Sequence, residues 1–97
     1  MDEERIAVAL SYQNDKESPE VIAKGKGRLA DLILKIAKDH GIPIKEDAKL
    51  VKDLYRLEIH KPIPPELYHT VAVVLAWAFK LNKKFREKML KSLKKTT

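Results

Sequence analysis

The first part of the chain has the alternating pattern of two short strands separated by a polar loop. In the first predicted strand, bulky residues alternate with alanines and a serine, so one face is large and the other small. The bulky positions are Ile6, Val8, Leu10 and Tyr12. Because neither face suits water, this strand is expected inside a sheet that helices cover on both sides. After a loop of turn formers that ends at Pro19, the segment Glu20–Lys24 is the second predicted strand.

Two amphipathic helices are predicted next, from apolar residues that recur every three or four positions. The first covers Arg28–His40, and Gly41 follows at the position where glycine commonly ends a helix. Its apolar residues are Leu29, Leu32, Ile33, Ile36 and Ala37. The second helix follows Glu46 and Asp47, since acidic residues favour a helix N-terminus. Its apolar residues are Leu50, Val51, Leu54 and Tyr55.

A third strand, Ile42–Lys45, is predicted between these helices, with Pro43 tolerated only at an edge or near a strand start. A longer third helix is predicted from Pro65, because proline suits the first helical position. Its inner face is Leu67, Val71, Val74, Leu75 and Ala78, broadened by Trp77 and Phe79. The pattern therefore predicts an α/β fold, in which a small mixed sheet of about three to four short strands is packed by about three helices. With only three short strands predicted from the sequence, that sheet is incomplete.

The formal net charge of +6 lies entirely at the end of the chain. Residues 1–81 carry equal numbers of acidic and basic side chains, whereas residues 82–97 carry seven lysines and arginines and one glutamate. This predicts a neutral domain over 1–81 and a basic amphipathic tail over 82–97. Such a tail could bind nucleic acid, an acidic membrane or a partner's groove. Composition alone favours a solvated extension whose apolar stripe folds onto its own domain or onto a second copy.

Composition excludes several classes of protein. The 97 residues form one domain, and no run reaches the roughly 18 to 20 uncharged apolar residues that a membrane-spanning helix needs. The acidic start lacks the basic and apolar regions of a signal peptide, so a cytoplasmic location is expected. The absence of cysteine excludes disulfides and thiol chemistry.

The residues that most often carry chemistry do not form a recognisable site. The glycines of KGKGR at 24–28 precede a helix, but they lack the spacing of a phosphate-binding loop, which favours an ordinary strand-to-helix turn. The histidines at 40, 60 and 69 lack the spacing of zinc ligands, and the serines lack a nucleophile motif. No catalytic residue, cofactor or metal site is predicted, and an enzyme is not expected.

Five consecutive blocks, taken together, resemble the cytoplasmic domain of the FlhB/YscU family, the switch proteins of flagellar and virulence type III secretion. In order, the blocks are AVALSY, PEVIAKGKG, IAKDHGIPI, VKDLYRLEI and IPPELYHTVAVVLAWAFKL. The similarity runs from about Ile6 to Leu81, nearly all of the neutral domain. It implies a domain at the cytoplasmic face of an export apparatus, where it binds export substrates, chaperones or other apparatus proteins.

The chain departs from that family at the place where its members cleave themselves. In the family, cleavage occurs within an Asn-Pro-Thr-His sequence just before the run similar to AVAL, and a further strand and a membrane domain come earlier. Here the matching positions are Asp2, Glu3, Glu4 and Arg5. Because the attacking asparagine and the prolyl leaving group are both missing, no self-cleavage is expected. The chain is interpreted as a free-standing homologue that begins about where the family's cleaved fragment begins.

The resemblance also implies a docking patch for export substrates. The family's patch joins an Ala-Pro pair before the second strand to an apolar face of the last helix. The matching positions are Ser18, Pro19, Ala72 and Leu75. Ser18 makes this patch slightly more polar than the family's. A loop glycine common in the family is replaced by His60.

Two further interpretations remain open. One is a small nucleic-acid-binding protein that uses the basic tail, whose affinity would fall steeply with salt. The other is an oligomeric scaffold built on the first strand. The edge of that strand, along Ile6, Val8 and Leu10, could pair with a strand from a truncated FlhB membrane partner or from a second copy in a homodimer.

Overall fold

The chain folds into two strands, three α-helices and a short 3₁₀ turn, as seen in a computed structural model whose described residues are 5–12 and 18–81. In chain order the elements are β1 (Ile6–Ser11), β2 (Glu20–Lys26), α1 (Arg28–Asp39), α2 (Ala48–Tyr55), the 3₁₀ turn (Pro65–Leu67) and α3 (Tyr68–Leu81). This confirms the predicted α/β class, its three helices and the length of the last one. The tail over 82–97 lies outside the described residues.

The sheet of the described residues has two strands, so the prediction of three to four strands is wrong in number. The predicted third strand, Ile42–Lys45, has no regular secondary structure and no strand partner within the described ranges. The amide of Ile42 instead donates a hydrogen bond to the carbonyl of Ala37, at 2.9 Å, which closes the end of α1. Pro43 has no amide hydrogen to offer a neighbouring strand. Gly41, with φ 68°, has the left-handed conformation expected after a helix.

Small residues on one face of the sheet allow α1 to approach closely. Ala7 of β1 lies opposite Gly25 of β2, and both are buried. A Cβ atom on Gly25 would overlap the side chain of Leu29 in α1, so glycine is required for this approach. Ala30 of α1 is fully buried. The small face predicted for β1 is therefore the face that α1 covers.

The opposite, bulky face of β1 joins the main hydrophobic core. The buried residues of that core are Val21, Leu50, Leu54, Ile63 and Val71. Val8 and Leu10 pack against it and are partly buried. The sheet thus has α1 on one face and α2 on the other, which is the arrangement that the two-sided apolar pattern predicted.

A β-bulge interrupts the pairing near the start of β2. The register shifts between Ala9 and Leu10, which leaves Ile22 of β2 without a residue opposite it. A bulge bends its strand and adds one residue on one side of the ladder. Because of that extra residue, Val21 and Lys24 both lie on the α2 side of the sheet although they are three positions apart.

Side-chain hydrogen bonds fasten both ends of α2. At its N-terminus, Oδ1 of Asp47 accepts from the amide of Leu50 at 3.0 Å, as acidic residues at a helix start predict. At its C-terminus, the ammonium of Lys24 donates to the carbonyls of Tyr55 at 2.9 Å and Leu57 at 2.8 Å. These bonds satisfy carbonyls that the end of a helix leaves free, so Lys24 ties β2 to α2.

Only part of the predicted apolar face of α1 is buried. Leu29, Leu32 and Ile36 are 51%, 51% and 48% exposed. Their spacing places them along one line of the helix, and we call these three residues the α1 stripe. Ile33 and Ala37, on the neighbouring part of the helix, are better covered. The predicted face is thus divided between a part that meets the sheet and a part that meets solvent.

Candidate partner-binding pocket and strand edge

A cavity of about 340 Å³ lies between the segment before β2 and one face of α3. We call it the α3 pocket, and its lining residues are Tyr12, Ser18, Pro19, Tyr68, Ala72, Leu75, Ala76 and Phe79. None of these side chains is charged, so the pocket suits an uncharged and largely apolar group. The structure brings together all four residues of the predicted docking patch, which are Ser18, Pro19, Ala72 and Leu75.

The pocket wall formed by α3 follows from the spacing of its residues. The five lining residues of α3 recur every three or four positions from 68 to 79, with 75 and 76 adjacent, which places them on one side of the helix. Val71 and Ala78, on another side, are buried. Because α3 meets the core on one side and lines a cavity on another, its sequence is apolar around most of its circumference. This accounts for the breadth of its apolar pattern.

The other wall is held in place by the start of β2. Ser18 is only 7% exposed, and its hydroxyl donates to the carbonyl of Pro19 at 3.3 Å, a long hydrogen bond. The next residue, Glu20, forms an isolated bridge with Pro62, which fixes this segment against the loop before α3. The oxygen of Ser18 retains lone pairs that can accept a hydrogen bond. Ser18 therefore adds one polar group to an otherwise apolar wall.

Four lining residues were not predicted from the sequence. Tyr68, Ala76 and Phe79 lie four residues before, four after and seven after Ala72, so helical spacing from Ala72 could have identified them. Tyr12 carries no such signal, because it lies directly after β1 and not on α3. Tyr12 and Tyr68 are 37% and 46% exposed, so they form the rim of the pocket.

The outer edge of β1 has no strand partner among the described residues. β1 pairs only with β2, which leaves backbone amides and carbonyls on its other edge. Ile6, Val8 and Leu10, the residues predicted for the strand edge, are partly buried on this strand. Pairing of that edge with another strand stays a prediction.

Arg5, at the position that matches the last residue of the family's cleavage sequence, is held at the start of α1 by a backbone hydrogen bond and an ion pair. The carbonyl of Arg5 accepts a hydrogen bond from the amide of Gly27 at 2.8 Å. Its guanidinium forms an ion pair with Asp31 at 3.0 Å. Asp2, Glu3 and Glu4, the other three positions, lie outside the described residues.

His60, which stands where the family commonly has glycine, adopts a left-handed backbone conformation with φ 67°. Its amide donates to the carbonyl of Val21 at 2.9 Å, and its Nδ1 lies 3.6 Å from Oε1 of Glu20. Glycine adopts positive φ without strain, whereas a side chain opposes it. The loop therefore keeps a glycine-like conformation in the presence of histidine.

Two further features of the described residues bear on function. Within 5–12 and 18–81, no three His, Asp or Glu side chains come together in a way that could hold a metal ion. The helices of these same ranges are too short or too polar to cross a lipid bilayer.

The sequence is similar to proteins from several bacteria. It is 45% identical over 85 residues to the uncharacterized protein YlqH of Bacillus subtilis, an alignment that covers 87% of this chain and 91% of YlqH. It is 44% identical over 79 residues to the flagellar biosynthetic protein FlhB of Salmonella typhimurium, covering 79% of this chain and 21% of FlhB. The FlhB protein of Aquifex aeolicus is 40% identical over 81 residues, covering 81% of this chain and 23% of that protein.

The fold matches solved structures of C-terminal domains. A crystal structure of a mutated EscU/SpaS C-terminal domain has a TM-score of 0.73 and 32% sequence identity, and the match covers 76% of this chain and 92% of that chain. The PscU C-terminal domain has a TM-score of 0.70 and 30% identity, with 74% of this chain and 94% of that chain covered.

The extent of these matches defines the relationship. The alignments span less than a quarter of the two FlhB proteins but most of YlqH and of the C-terminal domains. Residues 2–78 match the family described as the FlhB HrpN YscU SpaS Family, which confirms the resemblance read from the five sequence blocks. This chain therefore belongs to the FlhB HrpN YscU SpaS family of export proteins.

Proposed function

We propose that this chain is a non-enzymatic interaction domain of a flagellar-type (type III) protein-export system, and that its α3 pocket receives an apolar segment of an export substrate or chaperone. One observation carries the proposal. Ser18 and Pro19, from the segment before β2, meet Ala72 and Leu75 of α3 in a single uncharged cavity. Family resemblance assigned these same four positions to a docking patch, although they are far apart in sequence.

The pocket has the size and chemistry for this role. Its volume of about 340 Å³ is more than twice the ~150 Å³ of a cavity that holds benzene, so it can take a large apolar side chain with part of its surroundings. Full burial of one such side chain stabilises a complex by about 1.5–3 kcal/mol before the costs of association. Binding through one or two side chains is therefore weak and reversible, as a site that handles successive export substrates requires.

A matched pair of substitutions on α3 tests the pocket. Ala72→Asp places a charge in the cavity, whereas Val73→Asp places the same charge on a residue that does not line it and is 55% exposed. Fluorescence anisotropy with a panel of labelled peptides that span an export substrate of the same organism measures binding. We expect Ala72→Asp to weaken binding at least about tenfold, because a bound apolar segment would cover an unpaired charge at a cost of more than about 1.4 kcal/mol. We expect Val73→Asp to leave it unchanged. Equal binding by both variants would contradict the proposal.

The free edge of β1 supports a second part of the proposal, in which a strand from another chain completes the sheet. The donor is a truncated FlhB membrane protein or a second copy of this chain, since an unpaired edge is a template for either. Hydrogen exchange of the backbone amides of residues 6–11 measures whether a strand has been added to this edge. We expect exchange to slow after the chain is mixed with an FlhB fragment that ends at the asparagine of its cleavage sequence. Unchanged exchange, in a protein that is also monomeric, would remove this part of the proposal.

The domain is proposed not to cleave its own backbone. The positions that match the family's cleavage sequence hold Asp2, Glu3, Glu4 and Arg5, which lack the attacking asparagine amide and the prolyl leaving group. The purified chain should keep its full mass through prolonged incubation, as measured by mass spectrometry. A fragment that begins within residues 2–5 would contradict this.

The proposed location is the cytoplasm, with peripheral attachment at the membrane export gate through these contacts. Nucleic-acid binding is not proposed, because the family match concerns export proteins and the excess of positive charge belongs to residues 82–97.

A further inference from the structure

The α1 stripe is an apolar surface that neither the pocket nor the strand edge explains. Leu29, Leu32 and Ile36 are each about half exposed, and they follow one another at i, i+3 and i+7 along the helix. A continuous line of exposed aliphatic side chains is typical of a surface that another element covers. None of the three lines the α3 pocket.

The α1 stripe lies away from the free edge of β1. Leu29, at the start of the stripe, lies against Gly25 of β2. Asp31 is about 200° further round the helix, and it forms its ion pair with Arg5, the residue that precedes β1. Since β1 and β2 lie side by side, the stripe is on the β2 side of α1. A strand added to the outer edge of β1 would therefore leave the stripe exposed.

We infer that the α1 stripe is the contact surface of a homodimer, in which two copies of α1 pack antiparallel about a two-fold axis. This arrangement places Leu29 of one copy against Ile36 of the other and brings the two Leu32 side chains together at the axis. A two-fold interface uses the same patch on both copies. A stripe that has a large apolar residue near each end and one near its middle is therefore complementary to itself when it is reversed.

The charges beside the stripe favour the antiparallel orientation. Arg28 and Asp39 are the first and last residues of α1, and their separation of eleven residues is close to three full turns, so they lie on the same flank. Antiparallel packing about a two-fold axis sets Arg28 of each copy beside Asp39 of the other, whereas parallel packing puts the Arg28–Asp39 flanks of the two copies on opposite sides of the interface, where these charges do not pair. The carboxylate of Asp39 also forms an ion pair with the ammonium of Lys35 in the same helix, at 3.0 Å. This ion pair holds the carboxylate near the flank.

The contact is small, so the dimer is expected to be weak. α1 has 12 residues and is about 18 Å long. Three half-exposed side chains from each copy bury less than the roughly 800 Å² per partner of a standard interface. Association should therefore depend strongly on concentration.

Sedimentation equilibrium of the full chain, from micromolar to millimolar concentration, tests this inference. Leu32→Glu places two carboxylates together at the axis and should raise the dissociation constant at least about tenfold. Val73→Glu, at an exposed apolar residue of α3, is the matched control and should leave it unchanged. Circular dichroism establishes that both variants remain folded.

A charge exchange tests the orientation separately. Arg28→Glu alone and Asp39→Lys alone should each weaken self-association, because each sets like charges at positions 28 and 39 beside one another across the interface. An equimolar mixture of the two variants restores opposite charges in an antiparallel heterodimer and should recover the association. A protein that is monomeric at every concentration, or a dimer that Leu32→Glu leaves intact, would overturn the inference. Peptide binding by Leu32→Glu should be normal, so failure of this inference is distinguishable from failure of the proposed pocket.

Discussion

Replacing Lys24 by methionine should destabilise the fold far more than replacing Lys26, its neighbour on the same side of β2. Both ammonium groups lie over the ring of Tyr55, at 5.1 Å and 4.8 Å from its centre. Lys24 also donates to the carbonyls of Tyr55 and Leu57. Methionine keeps an aliphatic side chain of similar length in both cases. The comparison therefore isolates the two hydrogen bonds from the contact with the ring.

The expected difference follows from those two bonds. A hydrogen bond to a charged group contributes about 1.5–3 kcal/mol. Because Lys24 is only partly buried, water can replace part of each bond, and we expect Lys24→Met to lower the free energy of unfolding by about 2 kcal/mol in total. Lys26→Met removes only an exposed contact with the ring, worth about 0.5 kcal/mol.

Urea denaturation followed by far-UV circular dichroism measures both variants. With a slope of about 1–2 kcal/mol/M, the midpoint of Lys24→Met should fall by about 1–2 M urea, and its Tm should fall by about 8–16 °C. The slope itself should be unchanged, since the two substitutions do not alter the surface exposed on unfolding. Equal losses of stability for the two variants would refute the reasoning, because the backbone hydrogen bonds would then contribute nothing beyond the ring contact.

Three further outcomes follow from the fold. Gly25→Ala should destabilise the protein by about 1–3 kcal/mol, since the added methyl group overlaps Leu29, and Leu29→Ala in the same chain should recover part of the loss in a urea titration. His60→Gly should raise the free energy of unfolding by about 0.5–1 kcal/mol, because φ 67° strains a residue with a side chain; a lower Tm would show instead that the contact with Glu20 outweighs the strain. Deleting residues 84–97 should lower Tm only slightly, because exposed lysines contribute little, and a truncated protein that fails to fold would place Phe85, Met89 and Leu93 in a core or interface.

The sequence predicted those parts of the fold that depend on local pattern. The helices around Leu32, Leu54 and Val74 were identified from their apolar spacing, and the small face of β1 from its alanines. Ile42–Lys45 was wrongly predicted as a strand, because β-forming residues become a strand only when a neighbour pairs with them. Local pattern carries no information about the presence of that neighbour.

The candidate site was likewise only partly predictable from the sequence. Family resemblance selected Ser18, Pro19, Ala72 and Leu75, and the structure places them around one cavity. Tyr12 was missed because it lies directly after β1, and only the packing of β1 against the other elements brings it to the rim. Lys24 was assigned only to the second predicted strand and to an ordinary strand-to-helix turn, because the sequence does not reveal that its ammonium reaches carbonyls more than thirty residues away.

The bulge at Ile22 makes β2 a place where the length of the chain can vary. Removing Ile22 would keep every cross-strand partner, because Val21 would still face Leu10 and Ala23 would still face Ala9. Shortening by one residue in the middle of a strand ordinarily reverses the faces of all residues beyond it, but here it would only straighten the bend. The segment that precedes the bend carries Ser18 and Pro19. An insertion or deletion at this point is therefore a way to reposition one wall of the α3 pocket relative to the other while the core stays intact.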